Sequence, residues 1–430
     1  MSGEKSAQQR TAPYGLLGRK LGHSWSPQIH AKLGSVPYEL HEVEPEGVED
    51  FIRNGAWRGI NVTMPYKLDA ARLADERSSR VERLGAANTL VRRADGTIFA
   101  DNTDVLGFAW MLSRFCEKRL GASAADVLVG EKALVLGSGG ASKAIVAALE
   151  DAGAQVVVIS RTGDDNYQNL VERHADAVLL VNTTPVGMYP NCPATPVAEE
   201  DLARLSGLRG VLDIVYNPTR TGICLAAEHL GLPYESGLAM LVAQAVFSSE
   251  LFQDTRILDD VIENVMDELL RGMENVVLIG MPGAGKTSTG KRLARMLGRG
   301  FVDIDDAILA DTGTSSADII RERGEAAFRE VESEITNKYC SRSGLVIACG
   351  GGVVTRECNR DALRQNSRVL FIDRPLGELS SKGRPMSQAK GVERLAAERM
   401  DAYRSWCDAT LTCTGSADGD ASLARELLGL

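Results

Sequence analysis

Two glycine-rich loops of different design, each set between a buried apolar run and an amphipathic stretch, constrain this chain more than any other feature. The first, Gly137-Ser138-Gly139-Gly140-Ala141-Ser142, follows Lys132-Ala-Leu-Val-Leu136; the second, Gly280-Met-Pro-Gly283-Ala284-Gly285-Lys286-Thr287, follows Val276-Val-Leu-Ile279. A short, continuously apolar strand running into a glycine loop and then a helix is the unit from which parallel α/β sheets are built. Such loops turn backbone N–H groups toward a phosphate, and the helix N-terminus adds its positive dipole end. The second loop fits Gly-x-x-x-x-Gly-Lys-Ser/Thr. Residues Gly283 to Ser288 would cradle a nucleoside triphosphate, with Lys286 at the β/γ-phosphates and the Thr287 hydroxyl on Mg²⁺. The first loop opens a dinucleotide site, with Ser142 where a third small residue is usual. Two unrelated phosphate loops predict two activities.

Length and charge narrow the field. A chain of 430 residues predicts about three compact units. Lys plus Arg number 48 against 58 Asp plus Glu, a net −10, which argues against nucleic-acid binding. No run of 18 apolar residues is present, so no membrane span is expected. The polar opening, Met1 to Arg10, lacks the apolar core of a secretory leader, and cytoplasmic localisation is expected. Eight cysteines without Cys-x-x-Cys spacing read as free thiols in a reducing compartment, not as a disulfide framework or a zinc site.

Strands alternate with amphipathic helices, which predicts parallel sheets covered on both faces. Tyr14–Leu17, Gly59–Val62, Gln155–Ile159 and Val178–Val181 read as further strands. The second strand after the dinucleotide loop ends in Ser160-Arg161-Thr162. An NAD site usually has an acid there for the ribose 2′-hydroxyl, whereas Arg161 between two hydroxyls suits a 2′-phosphate. NADP(H) is therefore expected. From Gln253 to Asn275 the pattern becomes a charged amphipathic segment, and the main boundary is placed near Gly272.

Residues 13–253 resemble shikimate dehydrogenase. The resemblance rests on His23-Ser24-Trp-Ser26-Pro27, Asn61-Val-Thr63-Met-Pro-Tyr-Lys67, Ala86-Ala-Asn88-Thr89 and Asp101-Asn-Thr-Asp104. It continues in Asn182-Thr-Thr-Pro-Val-Gly187, Asp213-Ile-Val-Tyr216 and Gly237-Leu-Ala-Met-Leu-Val-Ala-Gln244, all in the family's order. It implies that Lys67 and Asp104 are catalytic, Lys67 as proton donor to the carbonyl oxygen of 3-dehydroshikimate. Ser24, Ser26, Thr63, Asn88, Tyr216 and Gln244 would meet the substrate. Gly137 to Ala141, Ser160 to Thr162 and Gly237 would meet the cofactor. Taken singly, Lys67 also suits a solvated helix-end cation and Asp104 a helix cap. One departure stands out: Gly163-Asp164-Asp165 follows where many members carry a second basic residue, and these acids should weaken a 2′-phosphate site.

Residues 275–412 resemble shikimate kinase. Phe301-Val-Asp303-Ile-Asp305, Gly324-Glu-Ala-Ala-Phe328-Arg329-Glu-Val-Glu332, Cys349-Gly350-Gly351-Gly352, Gly383-Arg384-Pro385 and Glu398-Arg399 with Tyr403 carry it. It implies that Asp303 holds Mg²⁺ and that Asp305 orients the attacking 3-hydroxyl. Arg329 and Arg399 would clamp the shikimate carboxylate, Gly350 to Gly352 would approach the ring, and Arg384 would act from a lid. The stretch Leu376 to Lys382 lacks the second arginine that many members place there, leaving Lys382 as a substitute.

The expected fold is α/β. A substrate-binding α/β domain (13–107, completed by 236–270) and a Rossmann NADP domain (108–235) precede a P-loop kinase domain with a central parallel sheet (273–430). The expected function is a bifunctional enzyme: NADPH-dependent reduction of 3-dehydroshikimate, then ATP-dependent 3-phosphorylation of shikimate with Mg²⁺. An NAD-using quinate/shikimate dehydrogenase fused to the same kinase is the alternative. A sensor retaining both folds is a third reading, disfavoured by the intact Lys67, Asp104, Lys286 and Asp305. Small-molecule substrates are the expected partners, without nucleic acid or membrane, and the resemblance leaves room for a homodimer through the dehydrogenase half.

Overall fold

Apolar runs bounded by turn residues become the strands of three sheets in a computed structural model that describes residues 13–22, 24–379 and 391–430. These residues divide into two units. The first comprises 13–184, 197–214 and 227–267, and the second 185–196, 215–226 and the described part of 268–430.

The first unit holds two sheets. Its six-stranded sheet has the order β2 (Tyr38–Glu42), β1 (Tyr14–Gly18), β3 (Gly59–Val62), β5 (Thr89–Arg92), β6 (Ile98–Asp101), β4 (Glu76–Arg77). Here the expectation of purely parallel sheets needs correction. β1, β2 and β3 are parallel, but β5 runs antiparallel to both β3 and β6. No helix separates β5 from β6; Arg93 to Thr97 close a tight connection in which Gly96 takes φ +90° and Asp95 accepts from the Thr97 N–H at 3.0 Å. So short a loop can join only antiparallel neighbours.

The second sheet of this unit is wholly parallel, in the order β11 (Tyr234–Glu235), β10 (Gly210–Asp213), β9 (Leu179–Asn182), β7 (Lys132–Leu136), β8 (Gln155–Ile159). The helix Gly140–Asp151 follows β7 and buries Ile145 and Leu149. The helices Thr103–Phe115 and Leu238–Gln253 pack together, and Gly107 lets the second approach until Gln244 faces it.

In the second unit a five-stranded parallel sheet has the order β13 (Gly300–Asp303), β14 (Leu345–Ala348), β12 (Asn275–Ile279), β15 (Ser367–Asp373), β16 (Ala409–Thr412). Both faces are covered. Val277, Ile279, Ile347 and Phe371 contribute to one core, and Val276, Leu278, Leu370 and Leu411 to the other. This alternation within single strands is what burial on two faces demands.

The division into units departs from a simple split at Gly272. That residue lies inside the helix Asp259–Met273, and the segments 185–196 and 215–226 fold with the second unit. There the Arg220 N–H donates to the Gln365 carbonyl at 2.8 Å, and an Arg220 Nη to the Ser367 carbonyl at 2.7 Å.

Candidate active sites

Register gathers the first site. Asn61 in β3 stands opposite Thr89, and Thr89 opposite Asp101, so Thr63, Asn88 and the Asp101–Asp104 segment emerge at one end of the sheet. The loop after the parallel strand β1 carries Ser24 and Ser26 to the same end. Lys67 opens the helix Lys67–Leu73, and Asp104 lies in the first turn of Thr103–Phe115. The Lys67 Nζ donates to Asp104 Oδ2 at 2.6 Å, with both side chains mostly buried. Asn88 Nδ2 donates to Asp104 Oδ1 at 2.8 Å and to Thr103 Oγ1 at 3.0 Å, while Asn88 Oδ1 accepts from the Thr103 N–H at 2.7 Å. Both carboxylate oxygens of Asp104 are thus occupied, one by a cation and one by an amide whose other end is itself fixed. Ser24 and Ser26 are joined through their hydroxyls at 3.1 Å. Thr63 is half-buried at the end of β3, and Gln244 donates to the Leu241 carbonyl at 2.9 Å.

The dinucleotide loop lies beside this group. A Cβ added to Gly140 would sit 3.5 Å from the Met64 sulfur, in the loop that carries Lys67. Gly137 takes φ +100°, and Gly139 precedes the exposed N-terminal turn of Gly140–Asp151. Ser142, the departure from the fingerprint, donates to the Gly139 carbonyl at 2.6 Å and so braces the loop. Arg161 and Thr162 are exposed after β8, and Ser160 accepts from the Gly163 N–H at 2.9 Å. The acids that follow are not equivalent. Asp165 is engaged by Arg173 at 2.6 Å and His174 at 2.9 Å, which leaves Asp164 as the exposed one. Gly237 caps the helix Leu238–Gln253, its Cα against Ile214. Tyr216 belongs to the second unit, where burial raises its phenol pKa.

The second site forms at the C-terminal ends of β12, β13 and β14. Leu278 and Asp303 both pair with Ala348, so the loop Gly280–Gly285, Asp303 and Gly350–Gly352 leave the sheet side by side. Pro282, Gly283, Gly285, Asp303, Gly350 and Gly351 line a cavity of about 710 Å³ together with Lys286, Thr287, Ser288 and Asp305. The Thr287 hydroxyl donates to Asp303 Oδ2 at 2.7 Å, and Lys286 Nζ rests on the Gly280 and Met281 carbonyls at 2.9 and 3.0 Å. Ala284 is buried beneath the loop. Burial raises the Asp305 pKa; a hydrogen bond from Ser316 Oγ at 2.8 Å acts in the opposite direction.

Two buried arginines lie against the Gly350–Gly352 turn. Gly324 interrupts the helix Ser316–Cys340 with φ +86° and ψ 167°, a conformation open essentially to glycine alone. The redirected helix buries Phe328, Arg329 and Glu332. Arg329 is 8% exposed and donates to Glu332 at 2.5 Å; Arg399 is 2% exposed and donates to the Gly351 carbonyl at 2.9 Å. Each keeps a buried Nε without a partner among the described residues. Burial raises the Glu332 pKa and the Arg329 charge opposes that rise. The triple glycine is a matter of space: a Cβ on Gly352 would collide with the Arg329 guanidinium, and one on Gly350 would lie 2.5 Å from Glu332. Arg384, Lys382 and residues 380–390 as a whole lie outside the described residues, as does His23.

Two residues escaped the sequence reading. Arg374 follows β15 and lines the cavity, donating to the Ala284 carbonyl at 3.2 Å. Its signal was its position one residue beyond a strand neighbouring the P-loop strand. Ser316 was invisible because only folding brings it onto Asp305, eleven residues earlier.

Among the described residues no helix is long and apolar enough to cross a membrane, and all eight cysteines are free. Residues 16–90 match the family model "Shikimate dehydrogenase substrate binding domain", and residues 282–428 match "Shikimate kinase". The shikimate dehydrogenase (NADP(+)) of Clostridium perfringens SM101 is 34% identical over 278 residues, covering 60% of this chain and 97% of that protein. A chorismate mutase/shikimate 5-dehydrogenase fusion from Clostridium acetobutylicum superposes with a TM-score of 0.54 at 32% identity, over 60% of this chain and 96% of that one. Quinate dehydrogenase from Corynebacterium glutamicum in complex with NAD gives 0.51 at 26%, over 60% and 98%. The chain belongs to the shikimate dehydrogenase family and carries, after its dehydrogenase portion, a shikimate kinase domain.

Proposed function

We propose that this chain reduces 3-dehydroshikimate to shikimate with NADPH and then phosphorylates shikimate at its 3-hydroxyl with ATP. NADPH, when bound, supplies the hydride for the carbonyl carbon. Lys67 would give the balancing proton to the carbonyl oxygen, while Asp104, fixed by Asn88, holds the ammonium in place. Ser24, Ser26, Thr63, Asn88 and Gln244 would bind the carboxylate and ring hydroxyls. The glycines from 137 to 140 would take the pyrophosphate and Arg161 the 2′-phosphate; with Asp165 committed to Arg173 and His174, one exposed acid opposes it rather than two.

In the kinase, Lys286 would neutralise charge on the phosphates, and Asp305 would orient the 3-hydroxyl and accept its proton. Thr287 and Asp303, already in contact, fit Mg²⁺, which characteristically takes one or two protein oxygens and completes its shell with water and phosphate. The observation that carries the kinase substrate is the pair of buried guanidiniums, Arg329 and Arg399, each with an unpartnered Nε. A small carboxylate entering between them would supply the missing acceptors, and the dehydrogenase step yields such a molecule. Two assays test the reading: NADPH oxidation with 3-dehydroshikimate, and ADP release with shikimate. Absence of either turnover would remove that half of the proposal.

The likeness to an NAD-bound quinate dehydrogenase supports a second reading, in which the first unit oxidises quinate with NAD. Arg161 in the position of the usual acid favours NADPH. Turnover of quinate with NAD at a rate matching shikimate with NADP would reverse the choice.

A further inference from the structure

At the end of the first sheet opposite Lys67, a cavity of about 700 Å³ opens between the start of β3, the end of β5 and the last turn of the helix Leu238–Gln253. Neither proposed reaction uses it. The Arg92 guanidinium lies 4.4 Å from the centre of the Trp57 ring and donates to the Ile52 carbonyl at 2.8 Å. Its Nε is buried without a partner, and no carboxylate pairs with it among the described residues. Arg58, exposed at the rim, also lacks a carboxylate partner among those residues. Arg93 is different, being committed to Glu76 at 2.7 Å and to the face of Phe99. Phe99, Leu251 and Phe252 complete the wall, and among the described residues Asp254 is the one acid lining the cavity.

An exposed guanidinium without a carboxylate, Arg58, and a second, Arg92, whose Nε lacks an acceptor, set beside aromatic surface, select an anion that also has an apolar face. The volume lies within the range of small-molecule sites and far exceeds an inorganic anion. Asp254 disfavours a dianion. We propose that this cavity binds a small aromatic monocarboxylate, its carboxylate on Arg58 and Arg92 and its ring against the Trp57–Phe99 side. Arginine suits this role because its planar fork meets a carboxylate while its face stacks on a ring.

Both active sites also accept a carboxylate, so the test must fill them first. The full chain, saturated with shikimate, is titrated calorimetrically with benzoate, with benzyl alcohol and with inorganic phosphate. The expected result is one benzoate per chain with a Kd below about 1 mM. Benzyl alcohol and phosphate should each bind at least about tenfold more weakly, since one lacks the charge and the other the ring. Arg58→Gln, at an exposed position and outside both active sites, should weaken benzoate about tenfold or more with both catalytic activities unchanged. Arg92→Lys, which keeps the charge and loses the fork, should weaken it as well. The proposal is overturned if benzoate binds only when shikimate is omitted, if phosphate matches it, or if Arg58→Gln leaves its affinity unchanged.

Discussion

The two active sites solve opposite problems with similar residues. In the dehydrogenase unit the proposed proton donor is already paired: Lys67 lies on Asp104, and Asp104 is held in turn by Asn88. In the kinase unit Arg329 and Arg399 are more deeply buried, yet neither Nε has a partner among the described residues. An internal pair fixes geometry, at the cost of donors that could otherwise meet the substrate. Unfilled buried donors are costly in the free protein and favour whatever ligand satisfies them. With the roles proposed above, the first site is organised around the position of a proton, and the second around recognition of charge.

Breaking each site separately gives the largest effect. Lys67→Ala should lower the rate of 3-dehydroshikimate reduction by about 10²–10⁴ and leave shikimate phosphorylation intact. Lys286→Ala should do the reverse, with a loss of at least about 10²–10³. Steady-state rates of both reactions on each folded variant check this; loss of both activities in either would contradict independent sites.

The recognition side of the comparison is sharpened by Arg399→Lys, which keeps charge but loses the planar fork. The KM for shikimate in phosphorylation should rise by about 10- to 150-fold, the range for losing a hydrogen bond to a charged group. The same KM in the dehydrogenase direction should not move. Arg161→Ala should act near the lower end of that range, about tenfold, because the site is exposed. Its effect belongs on the KM for NADP and not for NAD, and equal effects would remove Arg161 from the 2′-phosphate.

A smaller effect should appear as a pH shift. If Asp305 accepts the proton, phosphorylation falls as pH drops through its raised pKa. The Ser316 hydroxyl stabilises the ionised carboxylate, so Ser316→Ala should raise that pKa further and move the acid limb to higher pH. The pH profile of kcat/KM for shikimate reads this directly. An unmoved limb would mean that another group controls it.

Much of both sites was legible in the sequence because their parts are short local motifs. A strand, a glycine loop and a helix are contiguous, and Asp303 and Asp305 follow a single strand. What the chain hid depends on distant residues meeting. The Asp95-Gly96 connection turned one expected parallel sheet into a mixed one, although that pair of residues was a readable turn signal. Arg374 joins the phosphate loop only because β15 lies beside β12, and Ser316 reaches Asp305 only through folding. The segments 185–196 and 215–226 carry part of the dehydrogenase motifs yet fold with the second unit, and in 215–226 the Arg220 N–H and guanidinium donate to the Gln365 and Ser367 carbonyls, contacts that no motif encodes.

The central claim, that one chain holds consecutive chemistries on one carboxylate, is tested most directly by a single tandem reaction. The protein is mixed with 3-dehydroshikimate, ATP and Mg²⁺, and ADP is followed before and after NADPH is added. No ADP above background is expected before the addition, and afterwards ADP approaching one equivalent per NADPH consumed. ADP formation without NADPH, or NADPH consumption without any ADP, would contradict it.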